Sequence, residues 1–132
     1  MNSFVDLENT YQLLDFSISH NRMLIRSMRN RSRDYNIDLY FKGVSGIFAP
    51  MYFKGIEISS SDQTEIENSL HFMHQLPNEM GYQLFTLKDS NGNSYYLNAA
   101  AWGVFHNKRN ILESTLINDN WEDLGDLVLW FE

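Results

Sequence analysis

Three observations predict an α+β fold that is mainly antiparallel β. Apolar residues alternate with polar ones along most of the chain, one segment alone switches to helical spacing, and an Asn-Gly turn signal joins two extended runs. About seven strands in a sandwich or half-barrel, with one helix packed on a sheet face, is the expected architecture.

Tyr11 to Ser19 opens the series, with Leu14, Phe16 and Ile18 on one face and Asp15, Ser17 and Ser19 on the other. His20-Asn21 reads as a tight turn, because Asn tolerates positive φ, and Met23-Leu24-Ile25-Arg26 resumes an extended run, so residues 11–29 form a hairpin whose second strand alternates poorly. Asn30 to Asn36 is a polar loop. Ile37, Leu39 and Phe41 then alternate with Asp38, Tyr40 and Lys42, and Gly43 and Gly46 punctuate the end. Pro50 precedes a fourth strand, Met51 to Ile58, which Gly55 bends or bulges.

Ile66, Leu70 and Met73 recur at i, i+4 and i+7, Leu76 extends the stripe and Pro77 follows, which predicts the helix; Asp62 with Glu65 has the layout of a capping box at its start. Tyr82 to Lys88 and Ser94 to Ala101 flank the turn Asp89-Ser90-Asn91-Gly92-Asn93. Trp102 to His106 continues past Gly103, Asn107 to Asn110 turns, and Ile111 to Asn118 completes three connected antiparallel strands. At the C-terminus a short turn or helix from Asp119 is expected to precede a strand through Leu127-Val128-Leu129-Trp130-Phe131.

The 132 residues suit a single domain spanning 1–132, and 43% apolar against 20% charged residues allows a real core. The net charge of −7 argues against nucleic-acid binding as the main task and favours a partner with a basic surface. There is no cysteine, hence no thiolate nucleophile, thiolate metal site or disulfide. The first residues lack a basic stretch leading into an apolar core, and no apolar run approaches a bilayer span, so a cytoplasmic location and no membrane contact are expected.

Charge is unevenly laid out. Arg22, Arg26, Arg29, Arg31 and Arg33 fall together without an acid, which reads as solvated strand edges and loops available to pair with the acidic end, or alternatively as a phosphate-binding patch. Glu113, Asp119, Glu122, Asp123, Asp126 and Glu132 fall together without a base. Asp119, Trp121, Glu122, Asp123 and Asp126 form the candidate partner-binding surface, an aromatic anchor among steering charges, although Trp121 also suits the core.

Catalytic motifs are weak. His71 and His74 stand at i, i+3 with Glu67 one turn before, yet no second ligand pair follows, so no metal or cofactor is expected. Ser19, His20 and Asp38 supply the types of a hydrolase triad, but adjacent strand residues leave on opposite faces. Phe16, Phe41, Phe53, Phe85 and Tyr95 could line a cavity, so a small-ligand-binding β domain or minor hydrolase is the alternative to a non-enzymatic binding module.

The stretch Leu14 to Arg26, LDFSISHNRMLIR, followed by Asn36 to Val44, NIDLYFKGV, resembles the opening of small bacterial β-rich proteins, among them immunity proteins of polymorphic or contact-dependent toxin systems. The resemblance falls within the first third of the chain and carries no catalytic residue. It implies an acidic cytosolic protein that occludes one cognate toxin domain.

Overall fold

The computed structural model describes residues 3–73, 81–117 and 120–132. Among them nine strands form one antiparallel sheet: β1 (Ser3–Ser17), β2 (Arg22–Ser27), β3 (Asn36–Lys42), β4 (Gly46–Phe48), β5 (Tyr52–Ser60), β6 (Gln83–Lys88), β7 (Ser94–Ala99), β8 (Ala101–Asn107) and β9 (Asp126–Phe131). Their order is β4-β7-β6-β5-β1-β2-β3-β8-β9, open at β4 and at β9. The expectation of about seven strands is thereby corrected to nine, and of the sandwich or half-barrel expected, the single open sheet is not a sandwich of two separate sheets.

The chain itself curls this sheet. β7 bends at Ala100 straight into β8, while β3 runs on past Gly43 to β4, and the two paths stay bonded around the corner: Ala100 N–H donates to Lys42 O (3.0 Å) and Ser45 N–H to Asn98 O (2.9 Å). Strands distant in the order therefore meet inside. Phe85 of β6 stands edge-on to Trp102 of β8 at 6.1 Å, Phe41 of β3 stacks on the same indole at 6.0 Å, and Phe131 of β9 closes over it at 4.5 Å. Met23, Ile25, Leu39, Ile56, Leu87, Leu97 and Val104 complete this inner core, which removes their apolar surface from water.

The outer face carries two smaller clusters. Leu24, Tyr40 and Phe105 of β2, β3 and β8 pack under Leu116 and Leu124, so these three strands are covered on both sides. Every residue of β2 is consequently buried, arginines included, which explains its poor alternation: a strand sandwiched on both faces has no solvent side for polar residues to mark. On β6 and β7, Leu84 and Tyr96 receive Ile66 of helix α1 (Gln63–Ser69) and Met73 from the turn after it, so the helix does lie on a sheet face.

Several boundaries move. β1 begins at Ser3 rather than Tyr11, and it ends before Ile18, which is 89% exposed rather than on an apolar face. A 3₁₀ turn, Ser19–Asn21, follows, where His20 and Asn21 both take positive φ as a tight turn requires. β4 is unpredicted because three residues cannot display a period. Residues 111–117 form no strand. Helix α1 ends at Ser69, leaving Leu70 exposed, while His74, Leu76 and Pro77 lie outside the described residues. Asp62 caps the helix by accepting from Glu65 N–H (2.8 Å), but the Glu65 carboxylate turns to the Tyr96 hydroxyl (2.9 Å) instead of back to Asp62. Burial and that carboxylate push the Tyr96 phenol up to about 12.

The predicted irregularity near Gly55 is found with its extra residues on the partner strand. Asp6 pairs with Ile56 and Thr10 with Lys54, so residues 7–9 bulge out of β1 across Gly55, whose φ of +73 and missing Cβ admit the Leu7 carbonyl. Asp6 organises the bulge, accepting from the N–H groups of Glu8 and Asn9, from Asn9 Nδ2 (2.8 Å) and from the Tyr11 hydroxyl (2.7 Å). Burial opposes ionisation of Asp6, but these bonds outweigh it and hold the carboxyl below its ordinary 3.8. Because the native value lies below the unfolded one, the stabilisation is present above about pH 4 and is lost as pH falls through the native value. Asp6→Asn is expected to lower stability at neutral pH and to converge with the wild type in acid, as urea melts across that range will show.

Candidate functional site

The C-terminal acidic segment is positioned by a buried charge pair beneath it. Arg26 and Asp38 are direct cross-strand partners on the outer face of β2 and β3, 0% and 1% exposed, joined by two parallel bonds of 2.6 Å and 2.9 Å. Arg26 Nη1 donates to the carbonyl oxygens of Asn110, Ile111 and Glu113, the last at 2.7 Å. Asp38 Oδ2 also accepts from Asn107 Nδ2 (2.7 Å), and Asn107 Oδ1 accepts from Asn36 Nδ2 (2.9 Å).

Further bonds pin the same segment: Arg22 donates to Leu116 O (3.1 Å), and Ser114 Oγ donates to Asp15 Oδ2 (2.5 Å). The strand expected from Ile111 to Asn118, the last of which lies outside the described residues, is replaced over 111–117 by a strap in which the carbonyls of Ile111, Glu113 and Leu116 accept from arginine side chains rather than from a ladder. The arginine cluster is corrected accordingly. Arg22 and Arg26 are buried, and Arg33 closes its loop by donating to Ser27, Met28 and Tyr35 oxygens, so only Arg29 and Arg31 are solvated.

The strap delivers the chain to a second 3₁₀ turn, Trp121–Leu124, in which Asn120 accepts from Glu122 N–H (3.1 Å). Leu124 is buried under the outer cluster, while the Trp121 ring stands edge-on to Phe105 (5.4 Å) and Trp130 (4.8 Å) and is 47% exposed. Trp121 thus serves the packing and faces solvent at once. β9 then pairs with β8, and Trp130 lies flat across Gly103, where an added Cβ would come within 2.5 Å of the indole. The expected order of short helical turn and then strand is what the chain adopts.

The candidate surface divides on this frame. Glu122 and Asp126 are exposed, and neither carboxylate enters an ion pair among the described residues. Asp123 is half-buried 3.8 Å from Arg109, which also holds Glu113 at 3.2 Å, so its charge is partly spent within the fold. Asp119 lies outside the described residues. The consecutive apolar residues Leu127, Val128 and Leu129 have the composition of a buried strand, yet they are 50%, 45% and 37% exposed, because β9 is the sheet's edge. A run of consecutive apolar residues could not reveal this.

The enzymatic alternatives find different geometry. Asp38 is committed to Arg26 and Asn107, not to the Ser19–His20 turn, so the triad residues are not assembled. Phe41, Phe53 and Phe85 are core, Tyr95 packs edge-on to Phe53 at 5.7 Å, and Phe16 is exposed, so these five do not line a common cavity. A pocket of about 260 Å³ opens instead between the Ser19–Asn21 turn, β3 and the Trp121 turn, walled by His20, Arg22, Tyr40, Lys42 and Trp121. No group of three or more metal-ligating side chains occurs among the described residues, and no helix there is long and apolar enough to cross a membrane.

No family model, no curated protein and no solved structure matches this chain.

Removing one member of a desolvated pair strands the other charge. Arg26→Met is expected to cost about 3–5 kcal/mol in urea melts and to speed proteolysis within residues 110–117; Asp38→Asn should do the same to a lesser degree, since the amide still accepts a bond.

Proposed function

We propose that the chain is a non-enzymatic protein-binding module whose contact surface is its C-terminal edge. The observation that carries this is the clustering of half-exposed Trp121, Leu127, Val128 and Leu129 beside the free carboxylates of Glu122, Asp126 and Glu132. Apolar side chains ranged along an open sheet edge are costly to leave in water and prone to association, whereas the same residues ringed by charge of one sign form an anchor with a steering field. The partner has a basic surface. On the resemblance of the β1–β3 region, the partner is a toxin domain and the chain the immunity protein that occludes it in the cytoplasm.

Charge steering acts on the encounter rate. Reversing Glu122 and Asp126 to lysine is expected to slow association with a partner recovered by pull-down from the native cell roughly tenfold and to flatten its salt dependence, with dissociation changed less. Stopped-flow or surface-resonance rates at two ionic strengths check this, and unchanged rates would move the contact elsewhere. Asp123 is left intact because Arg109 depends on it.

A second reading, small-ligand binding, is favoured by the 260 Å³ pocket, whose cationic side chains and aromatic walls suit a small planar anion. Stabilisation by such a ligand follows mass action, so a thermal-shift screen of aromatic carboxylates and nucleotides is expected to produce a concentration-dependent rise in Tm if this reading holds.

A further inference from the structure

We infer that the partner engages this protein by adding an extended, basic segment as a further antiparallel or parallel strand along the outer edge of β9, an inference that rests on the protein-binding reading above. β9 pairs only with β8, and among the described residues no other backbone bond reaches it. Every second residue of an edge strand directs its N–H and C=O away from its neighbour, so unpaired ladder groups on either side of Val128 face solvent.

Edges are ordinarily blunted by central charge, proline, brevity or a bulge. The opposite edge of this sheet follows that rule, since β4 has three residues. β9 has a bulge alone: Leu127 to Phe131 contains neither charge nor proline. Its bulge, at Val128 opposite Val104 and Phe105, leaves Leu129 to Phe131 in unbroken register with β8. The strand is also held ready, with Trp130 laid on Gly103, Phe131 on Trp102 and Trp121 against Trp130, so little ordering is needed when a partner strand arrives.

The charges choose the occupant. Two copies meeting antiparallel through β9 would bring Asp126 of each beside Glu132 of the other, and a parallel pairing would set Asp126 against Asp126 and Glu132 against Glu132. Acids at both ends therefore disfavour a second copy and favour a strand whose flanks carry lysine or arginine, with apolar side chains between them to cover Leu127, Val128 and Leu129.

The probe is a capped peptide of alternating valine and threonine flanked by lysines, compared with the same peptide flanked by glutamates, at low and high salt. Backbone hydrogen exchange of the wild-type protein is the readout. The lysine peptide is expected to slow exchange across 127–131 several-fold at low salt, less at high salt, while the glutamate peptide leaves it unchanged. Val128→Lys, and separately Leu127→Lys for the case in which the first fails to fold by near-ultraviolet circular dichroism, should weaken lysine-peptide binding about tenfold. Equal protection by both peptides, no protection by either, or a concentration-dependent dimer that itself protects 127–131 would overturn the inference. The broader reading is judged separately: a stoichiometric natural partner whose binding leaves 127–131 exchange untouched refutes strand addition alone, whereas the charge-reversal rates test protein binding through this surface by any mode.

Discussion

The bidentate pair of Arg26 and Asp38 is the constraint on which the outer half of this molecule depends. Two charges taken fully out of water are favourable only when every remaining donor and acceptor is met. Here Arg26 is satisfied by the carboxylate and by three main-chain carbonyls of the strap, and Asp38 by Arg26 and Asn107. The interaction is reciprocal. The strap lacks ladder partners and needs the guanidinium, while the guanidinium needs the strap to replace its hydration. Leu116 and Leu124 then close over Leu24, Tyr40 and Phe105, and the position of the Trp121 turn and of β9 follows.

The curled sheet explains why the two faces divide their work. Inside, Trp102 gathers aromatic neighbours from β3, β6 and β9 and leaves the interior filled by side chains. Outside, helix α1 covers β6 and β7 and the strap covers β2, β3 and β8. The two edge strands are the least covered, and β9 is the one where unpaired acids and large apolar groups coincide. Binding proteins place contact residues where the scaffold is rigid but its surface unsatisfied, and β9 meets both conditions.

Much of the strand framework was legible because half-buried strands declare themselves by alternation. Ile37 to Lys42, Tyr82 to Lys88 and the turn at Asp89 to Asn93 are found close to their expected places, and Asp62 does cap the helix. β2 resisted because it is covered on both faces, and β4 because it is too short. The strap mimicked a strand through Ile111, Leu112, Leu116 and Ile117, yet its backbone is satisfied by arginines distant in sequence, a fact no local pattern carries. Of the candidate surface, the acids and Trp121 were legible from composition. Leu127 to Leu129 were not, since burial of an apolar strand depends on whether another strand lies beyond it.

The strap's bonds to Arg26 span 84 to 87 residues of chain. During synthesis the β1–β2–β3 meander can pair locally, but its outer face then holds two charges with incomplete shells until residue 113 has been made. Closing so long a loop is entropically slow, and sheets rich in such distant pairings fold in about milliseconds to seconds rather than microseconds. The shell of the Arg26–Asp38 pair is therefore among the last parts of the sheet that synthesis can complete, because its acceptors lie at residues 110–113.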